Sequence, residues 1–308
     1  MQTTTSNAPR RLSWRAALIC SLMGLGTATP TWAAGTLDKV RDTGKLTLGY
    51  ASDARPFAYA DASGKPSGYA IELCAQVADA VKSELKLATL AVEFVALSRD
   101  EAFRAVEQGK ADLLCGVVPT LERRALVDFS IPIMLSGTTA AVRTDTAARI
   151  AQALSGRQPS GPAWRGSSDQ APQRAVLAVV GGTVIEKALA SRLKERRIVA
   201  EVVQVKDSAA GLQLLASRGA DAFINDRAML LDAVAGGGAS DIVVLDVLFR
   251  RDIVALATRR NDDDFRLVVD RALSRLYRTP ELARIYTKNF GAPRSDAVDF
   301  FQLVALPD

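Results

Sequence analysis

The stretches "VEQGKADLLCG" (106–116) and "LASRGADAFIN" (215–225) carry one pattern in two halves of the chain. Each closes a helical run with a glycine, Gly109 or Gly219, then sets an aspartate, Asp112 or Asp221, before an apolar run. Glycine accepts the left-handed conformation that ends a helix. A short apolar run bounded by turn residues reads as a strand buried on both faces.

Outward from the first stretch, "KLTLGYA" (45–51) alternates as a strand, and "YADASGKPSGY" (59–69) is dense in turn residues and reads as a hairpin loop. "YAIELCAQVADAVKSEL" (69–85) has helical spacing, and "LAVEFVAL" (90–97) is a strand. "SRDEAFRAVEQGKA" (98–111) is a helix with Ser98 as cap, Glu101 three residues on and Gly109 as stop. "DLLCGVV" (112–118) is the third strand. Outward from the second stretch, strand 175–180, helix 184–197, strand 200–205, helix 207–220 and strand 221–226 repeat the order β-α-β-α-β. Two such units predict an α/β protein of two similar domains, each a mainly parallel sheet flanked by helices.

"GTTAAVRT" (137–144) leads out of the first unit, and "VLFRRDIVALATRR" (247–260) is the return strand. "LSGRQPSGPAWRGSSDQAPQR" (154–174) is rich in Ser, Gly and Pro and reads as a surface insertion. Helices follow at 263–277 and 279–290, the second with Thr279 as cap and Pro280 at its first position. The apolar tail 300–307 is expected to pack back onto the body.

The chain has 308 residues, 48% hydrophobic and 24% charged, enough for two domains. Arg10, Arg11 and Arg15, the apolar run 16–26 and small residues at 29–35 predict a cleavable signal peptide over 1–34. Its removal lowers the net charge from +5 to +2, which gives no nucleic-acid footprint. No other stretch approaches 18 apolar residues, so the mature chain is expected to be soluble. Cys74 and Cys115 remain, and in an oxidising compartment an even pair reads as one disulfide, two buried thiols being the alternative. The absence of histidine excludes His-based triads and His-ligated zinc, and two thiols exclude a Cys₄ site.

Three features sit at carboxyl ends of strands, where open α/β sheets bind ligands. After the third strand, Thr120 can cap a helix whose first turn holds Glu122, Arg123 and Arg124. Cations are poorly placed at a helix start, which marks Arg123 as a bidentate partner for a carboxylate. "VVGGTVIEK" (179–187) offers backbone donors at Gly182 and the hydroxyl of Thr183, an anion-binding arrangement without a nucleotide signature. Asp226 ends a strand and can accept from an ammonium group or cap the helix that follows. Together they describe a zwitterion site between two domains.

Here the sequence resembles the periplasmic solute-binding proteins of polar amino-acid ABC transporters, family 3, and most nearly the glutamate/aspartate-binding branch. The resemblance is carried by "GTLDKVRDTGKLTLGYASDARPFAYAD", "GKPSGYAIELC", "ADLLCGVVPTLERRALVDFS", "VVGGT", "GADAFINDRAMLL" and "DFRLVVDRALSRLYRTPELARIYTKNFGAP". It implies a two-lobe type II binding-protein fold with a two-strand hinge. Lobe 1 would comprise 35–140 and 247–308, and lobe 2 residues 141–246. It implies that Arg123 and Thr183 hold an α-carboxylate and Asp226 an α-ammonium, with Gly182, Gly116, Thr120 and Asp53 also at the ligand. Two departures stand out. Val117 and Val118 occupy a stretch where many members carry Ser or Thr. Ala51 stands where the acidic-ligand branch has an arginine, for which Arg55 is the candidate substitute. The resemblance further implies a monomeric periplasmic protein without cofactor or catalytic activity, which passes its ligand to an inner-membrane permease.

Overall fold

In a computed structural model, the structure describes residues 2–3, 35–155, 175–236, 241–293 and 295–307. The expected signal peptide and most of the expected insertion lie outside these residues.

Helix α1 (Thr36–Thr43) leads into β1 (Lys45–Tyr50), and the hairpin region holds β2 (Asp53–Ala54), β3 (Ala58–Ala60) and β4 (Pro66–Ser67). Then come α2 (Tyr69–Glu84), β5 (Ala91–Ala96), α3 (Arg99–Glu107), β6 (Leu113–Val117) and β7 (Val127–Phe129). The long β8 (Met134–Arg143) crosses to the second lobe. That lobe holds α4 (Ala147–Ser155), β9 (Ala175–Val180), α5 (Val184–Arg196), β10 (Ala200–Val205), α6 (Ser208–Ala216), β11 (Ala222–Asp226), α7 (Arg227–Ala235) and β12 (Ile242–Val244). Strand β13 (Arg250–Arg259) returns, followed by α8 (Asp263–Leu276), α9 (Pro280–Phe290) and α10 (Ser295–Val304).

The strands run in the order β10-β9-β11-β8-β13-β6-β1-β5. β5, β1 and β6 are parallel in one lobe, and β10, β9 and β11 in the other. Between them β8 and β13 pair antiparallel over Met134–Thr138 and Arg250–Val254, forming a two-strand hinge. Each sheet is covered on both faces by separate apolar clusters, the reason its parallel strands read as near-continuous apolar runs.

The two opening stretches build the same joint twice. The Asp112 N–H donates to Thr47 O at 2.8 Å, and its carboxylate accepts from Thr47 N at 2.8 Å. The Asp221 N–H donates to Val176 O at 2.7 Å, and its carboxylate accepts from Val176 N at 2.9 Å. In each lobe the aspartate locks the start of one strand onto its parallel neighbour and supplies partners for backbone groups that the sheet would otherwise leave open.

Three expectations need correction. The segment around Arg123 is a single 3-10 turn, Arg123–Ala125, and not the start of an α-helix. Only six residues separate Thr120 from Val127, the first residue of β7, so no room remains for a longer helix. At the end of α6 the left-handed residue is Arg218 (φ 64°), not Gly219. A Cβ at Gly219 would lie 2.5 Å from the Leu214 side chain, which would have to shift to admit one. Finally, the first residues of the expected insertion belong to α4, where Leu154 is buried.

The disulfide joins Cys74 of α2 to Cys115 of β6 within the main core of the first lobe. As expected, the tail packs back: Phe301 of α10 is buried against Tyr277, Tyr286 and Phe300. Burying such a ring contributes about 2 kcal/mol.

Candidate functional site

Two cavities, with about 1650 and 1150 Å³ of empty volume, open solvent included, lie between the lobes. Arg99, Phe103, Thr120 and Arg123 of the first lobe face Gly182, Thr183 and Lys187 of the second across the larger one. Ser52, Asp53, Leu97 and Arg99 face Gly181 and Gly182 across the other. The strand ends thus converge on the cleft, as the chain order of the two βαβ units dictates.

Arg123 is positioned by its own loop. Its backbone N–H donates to Thr120 Oγ1 at 3.1 Å, so Thr120 caps the turn. Its guanidinium donates from Nη1 to Val118 O at 2.6 Å and stacks 4.5 Å over the Phe103 ring. Burial pulls its pKa below the usual arginine value, against the opposing influence of Glu122. An arginine remains charged even so. Among the described residues no carboxylate forms an ion pair with it. Val118 contributes a carbonyl here, and needs no side-chain hydroxyl for that.

Thr183 caps α5, accepting from Glu186 N at 3.2 Å and donating to Val180 O at 2.7 Å. Gly182, at φ 70°, donates its N–H to Glu186 Oε2 at 2.8 Å. Both donors read as open to an anion are therefore engaged, the Gly182 N–H by the Glu186 side chain of α5 and the Thr183 hydroxyl by Val180 O. The spacing Thr183-x-x-Glu186 is a capping box, a signal present in the sequence. Glu186 also accepts from Gln204.

Asp226 ends β11 and caps α7, accepting from Ala228 N at 2.8 Å and Met229 N at 3.4 Å. The Ser136 hydroxyl of the hinge donates to its other oxygen. Burial pushes its pKa up to about 7, and Asp252 on the other hinge strand adds to the rise. Asp226 is outside both cavity linings, yet it stands opposite Thr138, and Thr138 and Ile224 line the larger cavity. Strand alternation puts Asp226 on the face of Ile224.

The remaining candidates are dispersed. Asp53 lines the smaller cavity and pairs with Arg99 at 2.5 Å. Arg55 lines neither cavity. It stacks 4.2 Å over Tyr59 and reaches across to Asp232 of α7 at 3.0 Å, so geometry gives it an inter-lobe contact in place of the expected ligand contact. Gly116 is also outside both linings. Its φ of 81°, and a Cβ position 2.8 Å from Ala70, make it a packing requirement of β6 against α2. Sequence reading missed two cleft residues, Arg99 and Lys187. The latter pairs with Glu122 across the cleft at 2.7 Å. Among the described residues no group of three or more Cys, Asp or Glu is arranged to hold a metal. No described helix is long and apolar enough to cross a membrane.

Two lobes, a two-strand hinge and a polar cleft define a binding protein of the hinged type. The sequence profile of the bacterial extracellular solute-binding proteins, family 3, matches residues 46–292, and the chain belongs to that family. It is 29% identical to the L-glutamate/L-aspartate-binding protein of Pseudomonas aeruginosa over 84% of this chain and 81% of that one. It is 24% identical to the glutamate/aspartate import solute-binding protein of Escherichia coli, over 90% and 86% of the two chains. These relatives agree with the branch that the sequence resembles. Among solved structures, an ancestral amino acid-binding protein that preceded cyclohexadienyl dehydratase superposes with a TM-score of 0.67 at 26% identity, covering 83% of this chain and all of that one. An amino acid ABC transporter substrate-binding protein from Streptococcus pneumoniae gives 0.66 at 21% identity, covering 85% and 100%, a likeness of fold.

Proposed function

We propose that the chain captures a polar amino acid in the inter-lobe cleft, closes about the hinge and delivers it to an ABC permease of the inner membrane. Glutamate and aspartate are the first candidates, from the relatives' names. We assign residues 35–140 and 247–308 to lobe 1, and 141–246 to lobe 2, with residues 1–34 removed on export to the periplasm. Arg123 holds the α-carboxylate, Thr183 faces it across the cleft, and Asp226 takes the α-ammonium. The observation that carries this reading is Arg123: a half-buried guanidinium, fixed by Phe103 and Val118 O, that faces a cavity with no acid among the described residues paired to it. Burying such a cation is costly unless a partner arrives.

The Gly182 N–H reaches a ligand carboxylate only if Glu186 yields, and the Thr183 hydroxyl only if it turns away from Val180 O. Arg123 is therefore the principal anchor. The chain acts as a binding protein and not as an enzyme, in keeping with the engagement of Asp226 at a helix cap.

A thermal-shift screen of the purified protein against the common amino acids tests the proposal. A ligand at 100 times its dissociation constant adds about 2.7 kcal/mol of stability. No shift with any amino acid would contradict it. A second reading, a carboxylate without an amino group, is favoured by the apolar Val117 and Val118. Dicarboxylates in the same screen separate the two.

A further inference from the structure

We propose that Arg99 reads the second negative charge of the ligand and so sets its specificity. The inference rests on the amino-acid reading of the same cleft and goes beyond it by naming the selecting residue.

Arg99 borders both cavities, whereas Arg123 lines only the larger one. It is the first residue of α3, where the helix macrodipole disfavours a cation. The position is thus unfavourable for the helix and places positive charge in the cleft. Position 99 lies just beyond the end of β5, next to the end of β1, because Tyr50 pairs with Ala96. A cation there stands beside the loop that follows β1.

The other cations of the larger cavity, Arg123 apart, are engaged. Arg250 is held by Asp252, Lys187 by Glu122, and Arg192 by the carbonyls of Leu154 and Phe249. Among the described residues Arg99 makes a single polar contact, from Nη2 to Asp53 Oδ2 at 2.5 Å, and its side chain is 36% exposed. A guanidinium has five N–H donors on two usable edges and can hold two carboxylates at once. Asp53 fixes the orientation of the group through one Nη2 hydrogen, and the guanidinium edge it leaves open remains for a ligand carboxylate. The lining as a whole agrees: five Arg or Lys residues against three acids in the larger cavity.

Calorimetric titration of L-glutamate and L-glutamine, which are near-isosteric and differ by one charge, tests the assignment on the wild-type protein, Arg99→Gln and Arg99→Lys. Circular dichroism confirms that each variant folds. The wild type is expected to prefer glutamate. Arg99→Gln should lose about tenfold or more in glutamate affinity, with glutamine changed by less than about twofold, a gap of about 1.4 kcal/mol. Arg99→Lys should recover part of the preference. Equal weakening of both ligands by Arg99→Gln, or a wild type that prefers glutamine or a cationic amino acid, overturns the proposal while leaving amino-acid capture intact. Binding of no amino acid at all overturns both.

Discussion

The guanidinium of Arg123 lies 4.5 Å over the ring of Phe103, and its Nη1 is tied to Val118 O at 2.6 Å. The ring comes from α3 and the carbonyl from the end of the β6 loop, so two elements hold the cation before any ligand arrives. Preorganisation of this kind lowers the entropic cost of binding. Phe103→Leu removes the cation–π contact, worth about 1 kcal/mol at a partly buried site, while keeping an apolar side chain. The expected result is a roughly fivefold loss of ligand affinity by calorimetry, with little change in thermal stability.

Asp226 gives the cleft a pH dependence. Its pKa in the fold is about 7 against an ordinary value of 3.8. Only the ionised form makes an ion pair with an ammonium group. With a pKa of about 7, the ionised fraction rises from about a tenth at pH 6 to about nine-tenths at pH 8, so affinity should rise roughly tenfold across that range. Binding should release a proton, visible as a dependence of calorimetric enthalpy on the buffer's ionisation heat.

The same group has the opposite effect on the ligand-free fold. A carboxyl whose folded pKa is raised stabilises the fold fully below its unfolded pKa, and that contribution is lost as pH climbs through about 7. Asp226→Asn should therefore remove a falling component of stability between about pH 4 and pH 7 while abolishing tight ligand binding. Urea melts of both proteins at several pH values check the sign. A wild type that gains stability relative to Asp226→Asn as pH rises would contradict it.

Asp112 is buried at the start of β6, where it satisfies Thr47 N and pairs with Lys39 at 2.6 Å. Asp112→Ala leaves a backbone donor and an ammonium without that partner, at a cost of about 2–4 kcal/mol. Asp221→Ala should destabilise the other lobe through the equivalent lost bond to Val176 N. Denaturant melts should show both losses, with additivity because the two joints belong to different sheets.

The disulfide closes a sequence separation of 41 residues between α2 and β6. Cys74→Ala/Cys115→Ala should lower stability by about 3 kcal/mol through the larger entropy of the unfolded chain. A melt under reducing conditions should reproduce the shift in the wild type and leave the double variant unchanged.

The architecture was legible because local signals agreed with one another. Gly109 ends α3, the apolar runs are strands buried on both faces, and the repeated aspartates mark equivalent joints. What failed was set by tertiary context. The turn at Arg123–Ala125 has the residues of a helix start, but β7 begins too soon after it. Arg55 had the right charge near the right strand, yet its choice of Asp232 depends on a helix nearly two hundred residues away in sequence, which no local pattern reveals. Arg99 was overlooked because an arginine at the first turn of a capped helix reads as a solvated face. Glu186 was legible in principle: the capping box it forms with Thr183 predicts that the helix start supplies its own anion.

The central claim, that Arg123 anchors an amino acid by its carboxylate, is tested most directly by calorimetric titration of L-glutamate and L-aspartate into the wild-type protein and Arg123→Ala. The account predicts saturable one-to-one binding by the wild type. It predicts a loss of at least about 2 kcal/mol, roughly thirtyfold, in the variant, because a buried carboxylate is left without its partner. Wild-type affinity in Arg123→Ala would contradict it.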